Sequence, residues 1–69
     1  MKNNVEKVFK YIQDKIINKE WVVGDKITSE IPLAEKLGVS RSVVREAIQR
    51  FVTLDILSRV QGGGTYVNK

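Results

Sequence analysis

Apolar positions near the amino terminus repeat with the period of an α-helix. Five of them recur at i, i+3, i+4, i+7 and i+11 and so share one stripe: Val5, Val8, Phe9, Ile12 and Ile16. The segment 21–25 that follows has no such period and predicts a short extended strand ending in a turn. We expect its tryptophan, Trp21, to close one end of the hydrophobic core.

A second helix is predicted to begin at Thr28 or Ser29, because either side chain can cap the free N–H groups of a first turn. Pro32 is compatible with that helix, since its missing N–H falls in the first turn, where no intrahelical partner exists. Ala34 and Leu37 are the predicted inward positions. Their spacing marks the side that packs on the rest of the domain.

A tight turn separates this helix from a third one. Gly38 ends the second helix, because glycine adopts the left-handed conformation without a Cβ clash, and Ser40 caps the next. The third helix extends to about Leu54, and its inward positions are Val44, Ala47, Ile48 and Phe51. Two helices joined by a short glycine turn predict a helix-turn-helix over about residues 28–54.

The remaining residues predict a β-hairpin. Short β-prone runs at 56–60 and 65–67 flank a glycine-rich connection at 61–64, which together form a wing over about residues 56–67. The predicted fold class is therefore α+β and mainly α. It is a winged helix-turn-helix, with three helices plus a small antiparallel β-hairpin wing in one domain over residues 1–69.

Composition narrows the function. The 69 residues include no Cys and no His, which excludes thiol catalysis, zinc–thiolate sites and the commonest general base. No apolar run approaches the roughly 18 residues of a membrane span, and the amino terminus does not resemble a signal peptide. We therefore expect a cytoplasmic protein with no membrane partner, cofactor, metal site or catalytic residue. An enzyme is disfavoured further because no carboxylates pair across a plausible cleft.

The net charge of +4 is unevenly distributed. Residues 1–34 carry six Lys against five acidic residues, net +1, and residues 35–69 carry two Lys and four Arg against three, net +3. All four arginines thus lie in the half that contains the third helix and the hairpin. Arginine is the side chain suited to planar, bidentate recognition, so this half is the candidate DNA-binding region.

The start of the third helix carries the candidate base-reading residues. Arg41 and Arg45 are four residues apart and share a face, with Ser42 and Gln49 near it. In a helix that enters the major groove by its N-terminus, the arginines can bond guanine and Gln49 can bond adenine or a phosphate. Val43 either touches a thymine methyl or packs on the second helix. The alternative for both arginines is simple solvation.

The glycine run Gly62, Gly63 and Gly64 admits three interpretations. It is a flexible hairpin loop, a phosphate-binding nucleotide loop, or a wing tip that approaches the DNA backbone or minor groove. The second is disfavoured, because no Lys-Ser/Thr pair and no helix follow the glycines. The third gives the N–H groups a partner in phosphate, with Gln61 and Thr65 as flanking donors.

Several motifs, in order, resemble the GntR family of bacterial transcription regulators. The motifs are residues 24–30, Leu33-Ala34, residues 37–41, residues 44–47 and the wing sequence Gly62-x-Gly64-Thr65-Tyr66-Val67. The resemblance implies a winged-helix DNA-binding domain, usually followed by a larger effector-binding and dimerisation domain that we expect to be absent from this chain. It implies base contacts by Arg41 and Arg45, helix-start contacts by Ser40, Ser42 and Val43, and wing contacts by Gln61 and Gly62.

The implied partners are a two-fold symmetric operator in double-stranded DNA, a second copy in a full-length homodimer, and a small-molecule effector bound by the other domain. Three positions depart from the family pattern. Thr28 replaces a usual Pro, Ile31 replaces a frequent polar residue, and Asp55 replaces the Gly that usually ends the third helix in the left-handed conformation. The alternative function is a protein–protein module that exposes Ile31, Val43 and Val52 as an apolar patch.

Overall fold

The computed structural model describes residues 4–68, which form three helices and one antiparallel hairpin. These are α1 (Asn4–Ile17), α2 (Glu30–Leu37), α3 (Arg41–Thr53), β1 (Leu57–Val60) and β2 (Gly64–Val67). The predicted winged helix-turn-helix is confirmed, while residues 1–3 and 69 of the predicted domain lie outside the described range. Within that range, no helix is both long enough and apolar enough to cross a bilayer.

One hydrophobic core joins the helices to the wing. Its buried residues are Val5, Val8, Ile12, Ile27, Leu33, Ala34, Val44, Ala47, Ile48, Phe51, Leu57 and Val67. The rings of Phe9 and Phe51 stack at a centroid distance of 4.3 Å and join α1 to α3. On α2 the fully buried residue is Leu33, which the sequence pattern did not single out, whereas Leu37 is only half-buried. Ala34 is buried as predicted.

The turn between α2 and α3 has the predicted chemistry. Gly38 has φ +69°, and the Val39 N–H donates to the Ala34 carbonyl at 3.0 Å, which closes the end of α2. Ser40 caps α3, since its Oγ accepts from the Val43 N–H at 3.3 Å. The start of α2 agrees with the prediction in position but not in its hydrogen bond. Ser29, one of the two predicted caps, occupies the N-cap position, but its side chain makes no capping hydrogen bond.

The strand predicted between α1 and α2 does not form over residues 21–25. The Val22 N–H donates to Asp25 Oδ2 at 2.9 Å, and Gly24 has φ +94°, so the chain turns tightly here instead of extending. The next residue, Lys26, forms a single antiparallel bridge to Tyr66, and Gly24, Asp25 and Ile27 beside it share backbone hydrogen bonds with β2. This bridge brings the connection between the first two helices against the wing.

Trp21 is partly buried and packs against the core, next to the carboxyl end of α1. Its ring meets Tyr11 edge-on at a centroid distance of 6.2 Å. Beside it, Lys15 donates to Glu20 at 2.8 Å, and this hydrogen bond raises the pKa of Lys15 above its ordinary value. The end of the core is therefore covered as the sequence predicted, by an aromatic side chain in a turn.

Asp55 connects α3 to the wing in the left-handed conformation, with φ +64°, which is the conformation of the glycine that the family usually has there. Its carboxylate accepts from Asn68 Nδ2 at 2.8 Å, so the residue after β2 is held against the end of α3. The strands pair from Leu57 with Val67 to Val60 with Gly64. The hairpin therefore begins just after α3, and the residue that follows β2 is bonded back to the end of α3.

Candidate nucleic-acid interface

The start of α3 forms an open groove lined with polar and basic side chains. Ser40, Arg41, Ser42 and Arg45 line it together with Glu30 of α2. The hydroxyl oxygens of Ser40 and Ser42 lie 3.2 Å apart, so the helix cap and the first turn form one cluster. Four residues predicted to contact DNA are thereby brought together on one exposed surface.

Arg45 is held by a carboxylate from the neighbouring helix. Its Nε lies 3.6 Å from Glu30 Oε1, and 69% of its side chain remains exposed. The Glu30 carboxylate contacts Nε, the guanidinium nitrogen nearest the backbone. The two terminal nitrogens are outside this contact and can form a fork with guanine. The geometry is that of a carboxylate which orients an arginine while leaving its tip available.

Glu30 also binds an arginine of the wing. Its Oε2 lies 3.9 Å from Arg59 Nη1, and Arg59 Nη2 donates to the Arg45 carbonyl oxygen at 3.0 Å. These three contacts connect α2, α3 and β1. Sequence reasoning missed this cluster because no local spacing relates positions 30, 45 and 59; only the opposite charges were available as a signal.

The two other α3 residues predicted to contact DNA, Gln49 and Val43, differ in their exposure. Gln49 is exposed one helical turn beyond Arg45, outside the residues that line the groove. Val43 is only partly exposed and packs against the core, in agreement with the packing alternative. Val52 also packs against the core. Of the three residues of the predicted apolar patch, only Ile31 is an exposed one, at 53%.

The wing turn depends on glycine. Gly62 has φ +74° and Gly64 has φ +96°, conformations that L-residues with side chains rarely adopt. The turn is closed by the Gly63 N–H, which donates to the Val60 carbonyl at 2.9 Å. Gln61 is exposed at its start. Gly64, predicted as part of the connection, is already paired in β2.

A second groove connects the wing to the start of α3. Arg41 of α3 lines it together with Gly64 and Thr65 of β2, Lys26, and the residues that lead into α2. An adjoining depression contains Gln61, Arg59 and Glu30. All the predicted wing and helix residues except Val43, Gln49 and the turn glycines Gly62 and Gly63 therefore line adjacent grooves. Among residues 4–68 no group of acidic side chains is arranged to hold a metal ion.

The family is decided by comparison with known proteins. The family model described as "Bacterial regulatory proteins, gntR family" matches residues 4–67, nearly the whole chain. The chain belongs to the GntR family. The resemblance noted in the sequence motifs is thereby confirmed, and so is transcription regulation as the activity of the family and its relatives.

Curated GntR relatives are much longer than this chain. The uncharacterized HTH-type transcriptional regulator YisV of Bacillus subtilis is 44% identical over 57 residues, which are 83% of this chain and 12% of YisV. The mannosyl-D-glycerate transport/metabolism system repressor MngR of Escherichia coli is 40% identical over 58 residues, 84% of this chain and 24% of MngR. The chain thus spans about an eighth to a quarter of these relatives.

Solved structures confirm the fold. The DNA-binding domain of AraR in complex with operator ORR3 superposes with a TM-score of 0.93 at 36% identity, over 97% of this chain and 81% of that one. A GntR family transcriptional regulator from Listeria monocytogenes gives 0.93 at 28% identity, over 97% of this chain and 59% of that one. The winged helix of this GntR chain is therefore that of a GntR-type DNA-binding domain.

Proposed function

We propose that this chain binds duplex DNA sequence-specifically, as the DNA-binding domain of a cytoplasmic bacterial transcription regulator. The observation that carries the proposal is the exposed pair Arg41 and Arg45 at the capped start of α3, in grooves continuous with the wing. The AraR domain, which shares this fold, is solved in complex with an operator. In this arrangement α3 enters the major groove and the wing lies on the backbone or minor groove.

Each part of the surface has a distinct role in this proposal. Arg41 and Arg45 bind guanine O6 and N7, and Gln49 binds adenine or a phosphate further along the groove. Ser40 and Ser42 supply hydroxyl donors at the helix start. The wing residues 61–65 supply backbone N–H groups and the side chains of Gln61 and Thr65. Phosphate contacts set the position, and the arginines read the sequence.

The proposal extends to the protein in which this domain acts. The much greater length of YisV and MngR supports a second domain that dimerises and binds a small-molecule effector. A homodimer would present two copies of α3 to the two halves of a symmetric operator. Linking two half-site contacts raises affinity through effective concentration, with no new contact required.

Amide chemical shifts recorded during titration with a short DNA duplex test the proposal. The largest changes are expected at residues 40–49 and 61–65, with small changes on the exposed face of α1. Raising the salt concentration should weaken the binding, because phosphate contacts release counterions. Changes that avoid residues 40–49, or no change at low salt, would contradict DNA binding by this surface.

A further inference from the structure

Lys26 is fixed against the wing although it precedes α2 in the chain. It forms the antiparallel bridge to Tyr66, and the residues on either side of it are hydrogen-bonded to β2. The Ile27 N–H donates to the Thr65 carbonyl at 2.9 Å, and the Val67 N–H donates to the Asp25 carbonyl at 2.9 Å. The backbone of Lys26 therefore behaves as a third, one-residue strand of the wing.

The side chain of Lys26 extends across Gly64. A Cβ atom built on Gly64 would lie 2.6 Å from Lys26 Cε and 3.5 Å from its Nζ, so the lysine occupies the space that glycine leaves open. The ammonium group is thereby placed beside the wing turn, at the Gly64 end of β2. Residues 61–67 contain no Lys or Arg, and Arg59 is engaged by Glu30, so Lys26 supplies positive charge that the wing turn lacks.

This ammonium group has no carboxylate partner among the described residues, where the ion pairs involve other lysines and arginines. It lines the same groove as Arg41 and Thr65, between the wing and the start of α3. Lysine is a compact point charge with three donors, which suits a phosphate oxygen better than a base edge. Charge, position and freedom from pairing all favour an anionic ligand in this groove.

We propose that Lys26 supplies a charged side-chain contact beside the wing and binds a DNA backbone phosphate between the wing and α3. The inference rests on the proposed DNA-binding function and adds a contact outside residues 40–65. A lysine that contributes only to phosphate binding strengthens every duplex alike, so it sets affinity and orientation without selecting sequence.

The first test removes the charge and keeps a polar side chain of similar size. Lys26→Gln is compared with Lys10→Gln, which changes an exposed lysine of α1 that pairs with Asp14. The affinity for a selected operator is measured over a range of salt concentrations. The slope of log K against log[salt] should fall in magnitude by about 0.9 in Lys26→Gln only, with an affinity loss of about 3- to 10-fold near 0.1 M salt. Lys26→Arg should retain the wild-type slope.

A second test locates the phosphate. Operators in which single phosphates are replaced by neutral methylphosphonates should show one position that weakens the wild type and has no further effect on Lys26→Gln. An unchanged slope and the same methylphosphonate pattern in Lys26→Gln would overturn the role of Lys26 while leaving DNA binding intact. A wild type that does not discriminate the operator from mixed-sequence DNA would overturn the proposed function itself, and the inference with it.

Discussion

The carboxylate of Glu30 offers a direct way to separate orientation of Arg45 from simple charge. Glu30→Gln preserves the size of the side chain and removes its charge, and with it the contacts to Arg45 at 3.6 Å and Arg59 at 3.9 Å. Arg45 then loses the partner that holds its Nε. We expect the domain to remain folded and to distinguish its operator less well from other DNA.

The expected loss of folding stability depends on how exposed the ion-paired side chains are. The Arg45 side chain is 69% exposed and that of Glu30 28%, and ion pairs in such settings contribute about 0.2–1 kcal/mol each. Two pairs limit the loss of folding stability to about 2 kcal/mol. In binding, mixed-sequence DNA should gain affinity because a negative charge leaves the phosphate-facing surface. The ratio of the affinity for the operator to that for mixed-sequence DNA should fall about 3- to 10-fold, which corresponds to at most about 1.4 kcal/mol.

The assay is fluorescence anisotropy with the operator and with a mixed-sequence duplex at one salt concentration. Glu35→Gln is the matched control, because it removes the same charge from an exposed position of the same helix. Its preference should match that of the wild type. An unchanged or increased preference in Glu30→Gln, or an equal decrease in Glu35→Gln, would refute the argument that Glu30 orients Arg45.

Four further substitutions have defined expectations. Arg41→Ala and Arg45→Ala should each weaken operator binding by about 1–3 kcal/mol in the same anisotropy assay, and wild-type affinity in both would contradict base contact by either arginine. Gly38→Ala should lower the free energy of unfolding by about 1–2 kcal/mol, measured by urea denaturation, because φ is +69° there; equal stability would mean that the turn relaxes. Ile48→Val should cost about 0.5–1.5 kcal/mol and lower Tm by about 4–8 °C per kcal/mol in thermal unfolding, since Ile48 is 1% exposed.

The elements that local chemistry determines could be predicted from the sequence. Gly38 and Ser40 end one helix and begin the next through their own backbone and side-chain preferences, so the helix-turn-helix needed no tertiary information. The wing could be predicted because the helical spacing of apolar residues ends after α3 and a run of glycines separates two short β-prone segments. The left-handed conformation at Asp55 was implied only by the family pattern, in which a glycine usually occupies this position.

The features that the sequence did not reveal depend on residues distant in the chain. The contacts of Glu30 with Arg45 and Arg59 join three elements, and no periodicity relates those positions. At 21–25 the predicted turn is present but the extended part does not form, because the side chain of Asp25 closes the turn on Val22. Val43 was left open between contact and packing, and only the assembled core shows that it packs.

Parallel selection from a randomised duplex pool, with the wild type and Arg45→Ala at one salt concentration, shows whether the start of α3 reads the DNA sequence. We expect a wild-type motif that contains guanine, and loss of base preference at one guanine position in Arg45→Ala with the rest of the motif preserved. An identical motif from both proteins, or no enrichment by the wild type over the starting pool, would contradict sequence reading by the start of α3.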